Sequence, residues 1–155
     1  MIDLVEIHDG DERNVLEPKL ADILSCLPLT PKEADSLLNW KLFFLGANGV
    51  LRGEKAIIPL SEEINNSING FNTTYPSLME MSEDLNQIID LFLVANLGNE
   101  EINKQETDED FYELYDYTFE LFDSSYWIIS CKDIKYVEAL RKKFRDVSVR
   151  EYIPY

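Results

Sequence analysis

The sequence predicts an α+β fold: a single domain over residues 1–155, with a small mixed or antiparallel sheet of about five strands packed with about five to six helices. Three observations predict it. The length of 155 residues suits one domain. A composition that is 45% hydrophobic and 12% aromatic supplies a core that highly charged disordered chains lack. Helix-start signals alternate along the chain with short apolar runs, and no internal repeat is visible.

The first element is a strand from Ile2 to Ile7, with Ile2, Leu4 and Val5 as its inward candidates, followed by the polar turn His8-Asp9-Gly10-Asp11-Glu12. Pro18 suits the first position of a helix through Cys26, where Leu20, Ile23, Leu24 and Leu27 form one stripe. Thr30-Pro31-Lys32-Glu33 is the strongest start signal: a Thr cap, Pro at the first helical position, and Glu33 placed to reach back to the cap. That helix is expected to run to about Asn39. Lys41–Leu45 reads as a strand, Gly46-Ala47-Asn48-Gly49 as a hairpin turn, Val50-Leu51-Arg52 as the returning strand, Gly53-Glu54 as a turn and Lys55–Ile58 as a further strand closed by Pro59. Ser61-Glu62-Glu63 opens a short helix that Gly70 stops, and Phe71 to Met79 reads as loop, with Pro76 biasing Tyr75 away from helix.

Ser82-Glu83-Asp84 reads as the cap of a helix to about Leu97. Its residues are apolar nearly all round, which places it centrally, covered on both sides. Asn99–Glu106 is a polar, acidic linker. Thr107 and the acids Asp108, Glu109 and Asp110 open a helix expected to reach about Phe122. Tyr126–Ile129 is a strand, Asp133 caps a helix ending in Arg141-Lys142-Lys143, and Val147 and Val149 alternate in a last strand. Strand, helix and strand at this spacing fit a parallel crossover or one half of a split α/β layer.

The charge is −16, and it is uneven. Residues 1–99 hold 16 acids and 6 bases, residues 100–123 hold 10 acids and one base (Lys104), and residues 124–155 hold 4 acids and 7 bases. An asymmetry of this size points to an electrostatic partner. Its sign argues against nucleic acid and against anionic membrane surfaces, both of which need Lys and Arg. No run is long enough for a membrane-spanning helix, and the acidic N-terminus does not fit a signal peptide, so a soluble cytoplasmic protein is expected.

On a helix over 107–123, Phe111, Leu114, Tyr115, Thr118, Leu121 and Phe122 share a core-facing arc. Opposite them Glu109, Glu113, Asp116, Glu120 and Asp123 recur at spacings of 4, 3, 4 and 3, flanked by Tyr112 and Tyr117. The stripe is about 21 Å long at 1.5 Å per residue. It would suit docking onto a basic cleft, the field speeding encounter and the tyrosines adding contact area. Read without function, it is a solvated face on an acidic protein. A linear row diverges its carboxylates, whereas Mg²⁺ and Ca²⁺ sites converge them, so no metal is expected.

Catalytic signals are weak. His8, the only histidine, lies in a turn that resembles a calcium loop only loosely. Gly46 and Gly49 do not form a phosphate cradle, and hydrolase and zincin motifs are absent. Cys26 and Cys131 read as small buried hydrophobes, and Trp40, Tyr126 and Trp127 as core aromatics. No enzymatic activity and no cofactor are expected.

In being small, acidic, leaderless, single-domain and free of catalytic motifs, the chain resembles the bacterial immunity proteins that accompany contact-dependent or colicin-like toxins. The resemblance lies in size and charge over the whole chain, without a diagnostic motif. It implies a protein that blocks the basic active cleft of a cognate toxin, with a nuclease as the expected target. On that view Glu109, Glu113, Asp116, Glu120 and Asp123 supply the field, and Tyr112 and Tyr117 anchor. Two other classes fit the same charge: a DNA-mimic inhibitor of a DNA-binding enzyme, and a small acidic regulatory domain.

Overall fold

The computed structural model describes residues 1–51 and 55–154, with side chains described outside 50–58. In chain order the elements are β1 (Ile2–Ile7), α1 (Leu20–Leu24), α2 (Pro31–Ser36), β2 (Leu38–Leu51), β3 (Lys55–Ala56), α3 (Ile57–Asn65), β4 (Phe71–Thr73), α4 (Tyr75–Asp84), β5 (Leu85–Leu97), α5 (Asp108–Leu114), β6 (Tyr117–Phe122), β7 (Tyr126–Cys131), α6 (Ile134–Lys143) and β8 (Val147–Tyr152). The strands form one antiparallel sheet in the order β3-β2-β5-β6-β7-β1-β8, with β4 also paired to β2. The sheet is thus larger than the five or so strands expected. Its middle is built from two segments whose composition suggested helices.

The first is β5. Leu91, Leu93 and Ala95 point to one face and Phe92, Val94 and Asn96 to the other, and both faces are covered, so no polar alternation marks it as a strand. A buried strand and a buried helix then look alike by periodicity. The expectation that this segment is central and covered on both sides holds; its secondary structure is the correction. The helix starts earlier instead: Thr74 accepts from the Ser77 N–H at 3.2 Å, and Pro76 sits in the first turn of α4, where its missing N–H is harmless. Phe71–Met79 is therefore not loop.

The second is β6. Helix α5 stops at Leu114, Tyr115 is already extended (φ −114°, ψ 156°), and Tyr117–Phe122 pairs with β5 and β7. Tyr-Thr-Phe-Glu-Leu-Phe is aromatic and β-branched, and buried on both sides. The β6–β7 hairpin closes through Asp123 and Ser124, both at positive φ (46° and 54°), with the Ser125 N–H donating to the Phe122 carbonyl. That is the turn whose twist suits a hairpin.

The hairpin expected at Gly46–Gly49 does not form. β2 runs straight through it with register shifts at Leu42/Phe44, Gly46/Ala47 and Asn48/Gly49. Gly49, at φ +130°, sits where an added Cβ would lie 2.6 Å from the Asn86 nitrogen, so the residue read as a turn glycine permits a bulge and a close strand approach. Of the expected returning strand and turn, residues 52–54 lie outside the described residues. Ile57 and Ile58 open α3 rather than extending a strand.

Three expectations stand. The Thr30 capping box forms in both directions, at 3.2 and 2.9 Å, an arrangement whose cap is worth about 1 kcal/mol. Asp133 caps α6. β7, α6 and β8 make a split unit: both strands pair with β1, which lies between them.

The main core lies on one side of the sheet. Val5, Ile7, Leu42, Leu45, Leu93, Phe119, Trp127 and Ile129 meet Ile23 and Leu24 of α1, Leu78 of α4 and Val137 and Leu140 of α6. Each such side chain contributes about 1.5–3 kcal/mol on burial. Its polar tips are satisfied: Trp40 Nε1 donates to Ala34 O (2.8 Å), Trp127 Nε1 to Pro18 O (3.0 Å) and Tyr136 Oη to Ile23 O (2.7 Å). No described helix is long and apolar enough to cross a membrane.

Candidate functional site

The opposite side of the sheet is only partly covered. Residues 98–107 and α5 cross it, making a second small cluster of Val94, Ile102, Phe111 and Tyr115 with Phe43 and Phe92. The acidic linker is held there by specific bonds: the Asn103 N–H donates to Tyr115 Oη (2.7 Å), the Lys104 N–H to Asn69 Oδ1 (2.7 Å), and Asn39 Nδ2 to Gly98 O (2.6 Å). Beyond α5 the strand register sets side chains in lanes on this face. One lane reads Phe44, Phe92, Glu120, Ile128, Glu6 and Ser148. Beside it, Phe122, Tyr126 and His8 stack in a row, with ring centroids 5.2 and 4.9 Å apart.

Against this layout the expected acidic row takes a different form. Glu109 and Glu113 are exposed on α5. Asp116 lies past the end of the helix and accepts the Leu97 N–H at 2.8 Å, closing the end of the sheet. Asp123 is in the hairpin turn, its backbone N–H held by Asp90 Oδ1 at 2.8 Å. Glu120 points out of a strand and is 2% exposed. Tyr112 and Tyr117 do not flank one ridge: Tyr112 covers Glu120 and packs edge-on against Tyr152, whereas Tyr117 is in the main core on the other side of the sheet, its hydroxyl 3.4 Å from Asp133 Oδ2. The helix-to-strand change at Tyr115 is the physical reason: it rotates every later side chain out of the helical register.

What the structure brings together instead is a depression of about 220 Å³ lined by Phe44, Asp90, Phe92, Asp108, Glu120 and Phe122. Glu120 Oε2 accepts from Tyr112 Oη at 3.2 Å, and Oε1 has no donor. Asp108 is the immediate neighbour. Two carboxylates are both acceptors, so their contact becomes a hydrogen bond only when a positive charge, a proton in the simplest case, sits between them. Burial first, then the Asp108 carboxylate, pushes the Glu120 carboxyl up to about 8, with Glu109 adding in the same direction and the Tyr112 hydrogen bond opposing. Tyr112 in turn is held well above the usual phenol range, by burial and then by the Glu120 charge. Phe44, 44% exposed, forms the outer wall.

Sequence reasoning named Glu120 for a row it does not join, and missed Phe44, Asp90, Phe92, Asp108 and Phe122 as its companions. The available signal was the run 117–122 itself, where a lone acid sits in an otherwise uncharged strand-like segment.

The other candidates are occupied structurally. His8 stacks on Tyr126 and lies 3.3 Å from Glu6 Oε2. Asp9, 5% exposed, accepts the N–H groups of Arg145 and Asp146 and faces the Arg145 guanidinium, so this acid of the presumed turn pins the α6–β8 connection. Cys131 is buried with its thiol pushed up to about 12, chiefly by desolvation; Cys26 is half-buried beside the core, its thiol also raised by burial. A larger cavity of about 290 Å³, lined by Pro18, Leu20, Leu85, Leu121 and Trp127 among others, lies at the end of the main core, and Glu17 at its rim is turned to Arg145 at 3.3 Å. Among the described residues, no group of three or more His, Cys, Asp and Glu side chains is placed to hold a metal ion. No family model, curated protein or solved structure matches this chain.

Proposed function

We propose that this chain is a binding protein that neutralises a basic protein partner, in the manner of the toxin-immunity proteins it resembles in size and charge, and that it docks through the sheet face carrying α5. The observation that carries the reading is where the excess negative charge sits. Ten of the 30 acids fall in residues 100–123, and seven of these, within residues 100–114, lie in the layer across the open side of the sheet. Glu100, Glu101, Glu106, Asp108, Glu109 and Glu113 are all exposed there. The basic residues Arg141, Lys142 and Lys143 are carried on α6, which packs against the main core on the opposite side of the sheet. Exposed acids also stand on the main-core side, among them Glu33, Asp35, Glu62 and Glu63, but there Lys32 and the α6 bases offset them, whereas residues 100–114 hold seven acids and the single base Lys104. Such a field orients and accelerates encounter with a positive surface.

In this version Glu109 and Glu113 act as exposed field residues, with Asp123 at the hairpin. Asp116 and Tyr117 serve the fold, and Tyr112 and Glu120 belong to the pocket. Docking by a face of mixed rings and acids is favoured over phosphate mimicry, which calls for carboxylates at regular spacing.

The test is retention of a partner from the source cell's extract on immobilised protein, eluted with rising salt, followed by assay of the purified partner's own activity. One basic protein is expected, released by salt and inhibited at equimolar ratio. A double charge reversal, Glu109→Lys with Glu113→Lys, is expected to slow its association at least tenfold. Retention of no basic protein, or a retained partner that stays fully active, overturns the reading.

A further inference from the structure

We propose that the depression between α5 and the sheet seats an arginine side chain of the partner, its guanidinium between Glu120 and Asp108 and its stem along Phe44, Phe92 and Phe122. The assignment rests on the binding reading above for the existence of a basic partner, and on the pocket's own chemistry for the residue. Glu120 is 2% exposed, yet Oε1 faces no donor. A buried carboxylate oxygen without a donor is costly, and in the free protein only a proton shared with Asp108 relieves this one. Its neighbour in the depression is a second carboxyl, Asp108, so any occupant between them has to bring positive charge or a proton.

Three features select the kind of cation. The described residues offer no cluster of three metal-binding side chains, which sets aside an inorganic ion held by protein groups alone. Three phenylalanines line the space, an environment suited to an apolar stem and to a cation lying against ring faces. Two acceptors presented by different elements, one on β6 and one at the start of α5, match a planar fork of N–H donors better than a compact, strongly hydrated ammonium. Asp90, on the same depression, adds negative potential at its rim.

The guanidinium takes the place of the proton once the exposed Asp108 side chain swings away from Glu120, whose Oε1 is closed to solvent in the free protein. In the free protein Glu120 keeps its proton; when the side chain enters, the carboxyl releases it to solvent and two charge-assisted hydrogen bonds form. Binding therefore releases up to one proton and strengthens as pH rises from 6 to 8 by up to about 50-fold. The groups facing Glu120 in this transition are Asp108, Glu109 and Tyr112 of α5, with Asp90 on the same depression and Glu6 two strands away along the lane.

The test uses the whole protein and three capped tripeptides, Gly-Arg-Gly, Gly-Lys-Gly and Gly-citrulline-Gly, followed by NMR of the phenylalanine rings and the Glu120 carboxyl carbon. The arginine peptide is expected to move the Phe44, Phe92 and Phe122 signals saturably and to shift the Glu120 titration to lower pH. The lysine peptide is expected to bind several-fold more weakly, and the citrulline peptide not at all. Asp108→Asn, at an exposed position, is expected to weaken the arginine peptide at least tenfold, and so is Glu120→Gln. Equal effects of arginine and lysine, an equal effect of citrulline, or shifts confined to exposed carboxylates away from the pocket each overturn the assignment. A basic partner that binds the Asp108→Asn protein as tightly as the original removes the pocket while leaving the broader reading in place.

Discussion

Replacing Glu120 by Gln tests the buried carboxyl with a change that preserves shape. The side-chain oxygen can still accept from Tyr112 Oη, and the new NH₂ can donate toward Asp108, as a protonated carboxyl would. The folded-state value of about 8 against an ordinary 4.5 means that between those pH values the native protein holds a proton that the unfolded chain has released. Stability therefore falls as pH rises through this window. The slope is about 1.4 kcal/mol per pH unit, and the total is on the order of 4–5 kcal/mol by pH 9. That is a large share of the roughly 5–15 kcal/mol that stabilises an ordinary domain. The difference between the two proteins isolates this carboxyl from the other 29 acids and from His8. Urea unfolding at a series of pH values from 4.5 to 9, followed by the fluorescence of buried Trp40 and Trp127, measures it. The two proteins are expected to match near pH 4.5 and to diverge above it, with Glu120→Gln the more stable by about 3 kcal/mol at pH 7. Parallel stability curves, or a Gln variant weaker at pH 8, would refute the argument that burial and Asp108 keep this group neutral.

Removing the Tyr112 hydroxyl (Tyr112→Phe) takes away the one hydrogen bond that favours the charged form, so the Glu120 carboxyl is expected to titrate at still higher pH in a carbon-13 NMR titration. Gly49→Ala forces a Cβ to within 2.6 Å of the Asn86 nitrogen at φ +130°, and thermal unfolding is expected to show a loss of roughly 2–3 kcal/mol. Asp9→Ala strands the Arg145 and Asp146 N–H groups and leaves the Arg145 charge to Glu17 alone; a loss of about 2–3 kcal/mol in denaturant unfolding is expected, with fast amide exchange at residues 145 and 146.

What could be read in the sequence divides along a physical line. Caps were legible, because Thr30 with Glu33, Thr107 with its acids, and Asp133 act through bonds to backbone groups two or three residues away. Central strands were not. In Leu85–Leu97 both faces are apolar because packed layers lie on both sides, and nothing local separates that from a buried helix. The 107–123 pattern misled for a related reason. Phe111 and Tyr115 face the small cluster, Leu121 faces the main core and Phe122 the open lane, three different surroundings that happen to repeat at helical spacing when the segment is laid on one wheel. Gly46, Asn48 and Gly49 carry turn chemistry into a bulged strand because a bulge and a turn ask for the same backbone freedom. The pocket was invisible since Phe44, Asp90 and Glu120 meet only through strand register, and Asp108 joins them only because α5 crosses that face.

The placement of β1 has a consequence for how the molecule is made. Leu4, Val5 and Ile7 leave the ribosome well before their partners, for the slot they fill lies between strands that end at residues 131 and 152. Until residue 131 has emerged β1 lacks both partners, and until residue 152 has emerged its second edge stays open. Ring closure over more than a hundred residues makes this the slow, late step of folding, after the locally wired β5–β6–β7 ladder. Nascent chains stalled short of β8 are expected to expose sticky strand edges, which gives chaperones their window of engagement.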